Sequence, residues 1–491
     1  MAIILRFVDC KGIIRERFFK VISVVDTCSQ TLKEEISKVL AEYDLKVEDI
    51  RGQGYDGASN MRGQFNGLQA LLLRVCPYAY YVHCFAHRLQ LSLNAAAKDV
   101  DDVWQFFSTL TMIVNFVDSS AKRHLMLKAY RAGEIEDLVA IGSLETGSGM
   151  NQAFTLQRPG ATRWGSHFRL ISSLINLFGA TQATVDDLYR NGLGKVRGEA
   201  KGIAKALKKF SFVYCLLVMH EIMELTEFLS QAFQKKDMDI VNAVEFLSKT
   251  KEKLQIMRDN GWDDVIAKVK AFCCKHAIIM PDMSAPYKKV VRADNEMNIT
   301  NEHYFRINVL YAVIDHKLAE LESRFPESSM ELLILGATFH PRNHFAAFKK
   351  EDVLLLASKF YASDFSAYDM VALNIECEFF PPSIQRDSPF ANMTSVSDVC
   401  RLLAETGKSS YYPMIYRLIC LVLTLPVSTA ATERAFSSMN IIKSKLRNTM
   451  NDEFLDDLMI LYVERTFADC ISDDDVISAF EMSGPRRVKF S

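Results

Sequence analysis

Two short stretches at opposite ends of the chain concentrate the residues that could do chemistry. Arg51 to Met61, RGQGYDGASNM, sets Asp56 between Gly54 and Gly57 after a run that reads as a strand. A carboxylate at a strand's end with small neighbours can meet a hard cation and a phosphate without steric conflict. An aspartate ahead of small polar residues also caps the turn that follows it. Val427 to Asn440, VSTAATERAFSSMN, sets Glu433 and Arg434 close to Phe436 and Met439, on a helix expected to begin near Thr429. The two islands offer a pair of carboxylates, Asp56 and Glu433, contributed from opposite ends of the sequence.

Three further groupings carry potential chemistry. In HCFAH, His83 and His87 stand four apart and face the same way if the segment is helical. Cys84 occupies the position where a zinc protease keeps its glutamate base. Cys84 and His87 could supply two zinc ligands, but no second pair nearby closes a tetrahedron, and a buried hydrogen-bonded histidine is the plainer reading. Cys273, Cys274 and His276 raise the same question, and adjacent cysteines are poor joint ligands. TRWGSHF places Arg163 beside Trp164, a pair able to grip a phosphate and stack on a base, or to open a helix into the core. Basic clusters at Lys122, Arg123, His124 and Lys128, and at Lys443, Lys445 and Arg447, read equally well as solvated faces.

Composition bounds what these groups can serve. A chain of 491 residues exceeds one ordinary core. With 49% hydrophobic and 24% charged residues it has the balance of a folded soluble protein. Lys plus Arg at 58 against Asp plus Glu at 60 leaves no global basic field, so any nucleic-acid contact must come from local patches. The longest apolar runs, such as Phe212 to Met219, are too short to span a membrane. MAIILRFVDCKG carries charge too early for a signal peptide. Eleven cysteines without CxxC spacing suggest reduced thiols.

The elements that must position these groups change style near residue 100. Ile3 to Val8 and Phe18 to Val25 read as a hairpin around Lys11-Gly12, followed by a helix with Leu32, Ile36, Val39 and Leu40 on one face. A short strand then leads into the Asp56 loop, Gly67 to Val75 reads as a helix, Tyr80 to His83 as a strand and Ala86 to Ala97 as a helix. That order is α/β or mixed-sheet. From Asp101 to Gly407 the pattern is almost entirely helical, with breaks expected at Gly142 to Gly160, Gly194 to Gly202 and Pro281 to Asn301, the last a polar surface loop. Three helices follow between Ser410 and Thr466, and Ala468 to Ser491 reads as a weakly ordered tail. The expected divisions are 1–98, 99–409, 410–467 and 468–491.

Taken together, the blocks resemble the hAT-type transposases and host proteins descended from them, in particular the zinc-finger-type members with a C-terminal hAT dimerisation domain. GQGYDGASNM followed by YYVHCFAHRLQL looks like the block with the family's second catalytic aspartate and its CxxH block. RPGATRWGSHF looks like its arginine–tryptophan block, and LPVSTAATERAFSSMNIIKSKLRNTM with FLDDLMILYVER like its dimerisation region. The resemblance implies an α/β fold: an incomplete ribonuclease-H-like core, interrupted by a large all-α insertion and closed by C-terminal helices. It implies that Asp56 and Glu433 are the second and third of three acids, which in active members hold Mg2+ or Mn2+ for in-line attack on phosphate. Cys84 and His87 would match the CxxH block, and Arg163 with Trp164 the group contacting DNA ends.

The first acid would lie on a strand before the opening hairpin. Met1 to Val8 resembles the family's second strand, neither Asp9 nor Asp26 matches, and the zinc finger has no counterpart, so the chain reads as N-terminally shortened. Losing that strand would leave a sheet edge open to pairing. The expectation is a nuclear, transposase-derived protein without strand-transfer activity or a bound cofactor, and without a membrane segment. It would form a homodimer or higher oligomer and contact DNA weakly. Phe436, Met439, Ile442, Leu446, Phe454, Leu455, Leu458 and Tyr462 would bury against the insertion and a partner chain. The alternatives are an active metal-dependent transposase or nuclease whose true start lies upstream, and a domesticated DNA-binding regulator.

Overall fold

The computed structural model describes residues 1–89, 100–140, 156, 164–235, 238–287, 299–325, 331–341, 345–346, 348–385, 390, 393–444 and 447–483. Among the described residues the fold is predominantly helical, with small sheets confined to the N-terminal part, an α/β arrangement. It divides into two compact units. The first comprises Met1–Arg88, Ala232–Glu245 and Glu327–Ser491; the second comprises Leu89–Gln231 and Phe246–Pro326. Residues 327–409, grouped with the insertion on sequence pattern, thus share a unit with the N-terminal strands.

In the first unit, β1 (Ala2–Val8) pairs antiparallel with β2 (Ile14–Val21). β2 begins earlier than the apolar run suggests, because Asp9 organises the turn. Its carboxylate accepts the N–H groups of Lys11 and Ile13, each at 3.0 Å, and Gly12 takes the left-handed φ of +72°. Gly12 cannot be replaced cheaply, since a Cβ there would lie 2.5 Å from the Cys400 carbonyl oxygen. Arg6 and Glu16 sit opposite each other in this hairpin, both almost fully buried, with Arg6 Nη1 2.8 Å from Glu16 Oε1. The same guanidinium donates to the carbonyls of Leu423 and Met238.

Helix α1 (Ser29–Glu42) packs on α2 (Leu68–Val75) through Leu32, Leu68 and Leu72. Between and after them β3 (Gly52–Tyr55) and β4 (Tyr80–His83) pair in parallel, so both carboxyl ends emerge on the same side. Arg51, just before β3, grips Asp364 with two bonds of 2.8 Å. The later part of the unit supplies α3 (Ala367–Gln385), α4 (Val396–Glu405), α5 (Pro413–Leu423), α6 (Ala430–Ile442) and α7 (Asp452–Val463).

Helices α6 and α7 close over the hairpin. Phe18 and Val21 of β2 share a core with Ala435, Ile442, Leu455 and Met459, flanked by Met439 and Leu458. The outer edge of β2 is capped by carboxylates: Asp456 accepts the Val21 N–H at 2.7 Å, and Glu464 accepts the Phe18 N–H at 2.8 Å. A strand edge that would otherwise template pairing is closed in this way by side chains of its own chain.

The second unit is helical throughout its described residues apart from short connections, with Phe210–Phe233 buried along much of its length. Gly194–Leu207, expected as a break, is a helix. Ala200, Ile203, Ala204 and Leu207 form its buried face, and that packing outweighs the poor helix propensity of the glycines. Gly198 and Gly202 sit where an added Cβ would meet nothing within 4 Å. The ends of the Pro281 to Asn301 break are paired: Tyr287 N–H donates to Ile299 and Asn301 N–H to Ala285. The expected break at 142–160 falls outside the described residues except Leu156, which is buried. The C-terminal stretch expected as a tail forms the helix Asp473–Met482, because Ser472 caps it by accepting the Asp475 N–H and three aspartates fill its first turn. No helix among the described residues is long and apolar enough to cross a membrane.

Candidate functional site

The carboxyl ends of β3 and β4 meet the loop that opens α6, which brings the two sequence islands together within the first unit. The contact begins with glycine. A Cβ on Gly52 would lie 3.0 Å from Pro426 Cδ, and one on Gly54 2.8 Å from Pro426 Cγ. The alternating glycines of GQGY therefore let the ring that ends α5 lie directly on β3. Beyond the strands, the Phe85 N–H donates to Val427 O at 2.9 Å. Cys84 Sγ accepts both the backbone N–H and the hydroxyl of Thr429, each at 3.2 Å, and the His87 N–H at 3.4 Å.

Thr429 precedes α6 without capping it through its own side chain. Its hydroxyl is spent on the thiol. Glu433 lies one turn further, its N–H bonded to Thr429 O at 3.0 Å. Burial pushes the Cys84 thiol up, and the Glu433 charge adds to that effect. A neutral, deeply buried thiol is a hydrogen-bond hub and a poor nucleophile.

Asp56 follows directly on the end of β3. It is exposed, and its carboxylate accepts the Ala58 N–H at 3.2 Å, the turn-capping contact weighed from the sequence. Its own carbonyl accepts the Tyr81 hydroxyl at 3.2 Å. Gly57 admits the His83 ring, since a Cβ there would be 2.9 Å from Cε1. The His83 and His87 rings lie 5.8 Å apart. Burial lowers the His83 pKa from 6.5 to about 4, helped by Arg88, His87 and Arg62 and opposed by Asp56. The imidazole is neutral at physiological pH.

The structure therefore gathers Asp56, His83, Cys84, His87 and Glu433 around one junction. Among the described residues, no three of their ligand atoms converge within 4.8 Å; the only such grouping is His220, Glu221 and Glu224 in the second unit. A Mg2+ or Mn2+ ion takes about six oxygen ligands. Two exposed carboxylates beside a buried thiol do not present that set.

The remaining sequence candidates are placed as follows. Met439, Ile442, Leu455 and Leu458 pack against the hairpin of their own chain. Phe436, Phe454 and Tyr462 stay outside, 41%, 50% and 48% exposed. Arg163 and Leu446 lie outside the described residues, and Trp164 opens the helix Trp164–Asn176 with its side chain likewise outside them. Thr429, Pro426 and the Arg6–Glu16 pair were not singled out from sequence. Arg6, the one charge in the apolar run Ala2–Val8, was the available signal for that pair.

Two parts of the first unit match family models. Residues 1–67 match the family described as ZMYM1/FAM200, RNase-like domain. Residues 383–467 match the hAT family C-terminal dimerisation region. The matches mark an RNase-like region near the N-terminus and a hAT-type dimerisation region near the C-terminus of this chain. Over 487 residues it is 18% identical to the mouse "52 kDa repressor of the inhibitor of the protein kinase", covering 94% of this chain and 60% of that one. It is 20% identical over 481 residues to the human protein of the same name, covering 94% and 59%. The chain spans about three-fifths of the length of the curated relatives it matches.

Proposed function

We propose that this protein self-associates through its C-terminal helices and acts as a nuclear regulator without strand-transfer activity. The observation that carries this reading is the use made of the inherited positions. Cys84 and the loop before Glu433 hold α6 against the strands, while Asp56 caps a turn. The junction works as a latch that seats α6 and α7 on the hairpin and leaves Phe436, Phe454, Leu461 and Tyr462 facing outward. Exposed aromatic and aliphatic residues on adjacent helices are suited to a subunit interface. The relatives' name, a repressor, supports a regulatory role, and DNA contact through Arg163 and Trp164 belongs to this reading as the family resemblance implies it.

Sedimentation analysis tests the first part: the chain is expected to be dimeric or larger, and Leu461→Glu with Tyr462→Glu to shift it towards monomer. A monomeric parent chain overturns that part. Incubation with end-containing DNA and Mg2+ or Mn2+ tests the second. Cleavage abolished by Asp56→Ala would establish an active nuclease instead.

A further inference from the structure

Within the first unit, two thiols face each other across a helix pair. Cys400 lies on the inward face of α4 with Val396, Val399 and Leu403, and is fully buried. Cys420 lies near the end of α5 and is half-buried. Their sulfur atoms are 3.7 Å apart, the one thiol–thiol contact among the described residues. Tyr416 stands one turn before Cys420 on the same helix, α5. The hairpin turn closes the other side, with Gly12 packed on the Cys400 carbonyl. Nothing in the junction around Cys84 uses this pair.

We propose that Cys400 and Cys420 form an oxidative modification site that reacts with a hydroperoxide and closes to a disulfide. A disulfide requires sulfurs about 2.0 Å apart, so from 3.7 Å the pair needs to close by about 1.7 Å and no further cysteine has to be recruited. The two thiols are not equivalent. The hydrogen bond between them lowers the pKa of Cys420 and raises that of Cys400, whose burial acts in the same direction. Cys420 is also the one that solvent reaches, which makes it the thiol that meets the oxidant and gives up its proton in attack.

The chemistry balances with the peroxide as oxidant. The Cys420 thiolate attacks one peroxide oxygen, an S–O bond forms, the O–O bond breaks, and the alcohol or water leaves with a proton. Cys400 then attacks the sulfenic sulfur. The S–S bond forms, the S–O bond breaks, and water departs with the Cys400 proton. Two thiols and one hydroperoxide give one disulfide, one alcohol or water, and one water. The product ties α4 covalently to α5, two helices of the dimerisation region.

The test treats the reduced full chain with graded hydrogen peroxide, blocks remaining thiols, and maps peptides by mass. The expected product is a Cys400–Cys420 cross-linked peptide, about 2 Da lighter than the reduced pair and restored by dithiothreitol. It is expected at doses below those that oxidise the exposed Cys10, Cys28, Cys274 and Cys470. Cys400→Ser is expected to leave a dimedone-reactive sulfenic acid at Cys420, and Cys420→Ser to abolish the cross-link. The parent chain alone decides the matter if either variant fails to fold. Both thiols remaining alkylatable after the exposed cysteines are consumed overturns the proposal, as does Cys420 pairing with any other cysteine.

Discussion

Thr429 gives two hydrogen bonds to the Cys84 sulfur, one from its backbone and one from its hydroxyl, across 345 residues of sequence. A threonine just ahead of a helix ordinarily turns its oxygen back to the first turn of that helix. Here α6 does without that cap and is anchored to the end of β4 instead. Cys84 acts as an acceptor for α6, and the thiol's burial keeps it protonated and inert.

Thr429→Val keeps the branched shape and the backbone N–H while removing the hydroxyl donor. It should lower unfolding free energy by about 0.5–1 kcal/mol, the low end for a lost hydrogen bond because sulfur is a weak acceptor. Made in a Cys84→Ala background, the same substitution should cost measurably less. Chemical denaturation of the four proteins in the cycle supplies the comparison. An identical cost in both backgrounds means the hydroxyl does not depend on the thiol.

In the second unit, His276 lies between two phenylalanines, its ring 4.9 Å from Phe178 and 4.4 Å from Phe272. Burial lowers its pKa from 6.5 to about 4, with Lys275 adding to the effect. The folded state thus resists protonation that the unfolded chain accepts. The stabilisation is complete above pH 6.5 and is lost as the pH falls from 6.5 towards 4. Denaturant midpoints should fall over that window, and His276→Phe should fall less steeply while losing little at pH 7. His83, His167 and His220 are shifted in the same direction, so the difference between the two proteins is the informative quantity. Parallel pH profiles would remove His276 as a contributor.

Much of the N-terminal order was legible because its periods are short-range. The hairpin, the Leu32 face of α1 and the helix over Leu68–Val75 follow from local spacing and turn residues. The α/β character followed from their sequence order. What escaped were contacts between distant segments. Gly52 and Gly54 read only as loop-forming small residues around an aspartate, and their actual partner is Pro426. The helix at Gly194–Leu207 escaped for the opposite reason. Its glycines carry a strong local signal for a break, while the four residues that decide the outcome become apolar partners only after folding. The faces assigned to dimerisation were apolar as read, but sequence could not divide them between the hairpin and the outside. Met439, Ile442, Leu455 and Leu458 took the first role.

The buried Arg6–Glu16 pair shows how unequal two partners can be. Arg6 meets Glu16 at 2.8 Å and also donates to Leu423 O at 3.1 Å and Met238 O at 2.8 Å. Among the described residues, Glu16 also meets the guanidinium of Arg434, at 4.0 Å. Arg6→Met should cost about 3–5 kcal/mol, because it strands a buried carboxylate and two carbonyls at once. Glu16→Gln should cost less, since the arginine keeps both carbonyls and gains a neutral acceptor of the same shape. Arg6→Met combined with Glu16→Leu should be less damaging than the sum of the two single changes, as no unpaired charge then remains in the hairpin. Urea denaturation of the parent and these variants measures each step. If Glu16→Gln proves as damaging as Arg6→Met, the carbonyl contacts contribute nothing and the pair stands on its ionic bond alone.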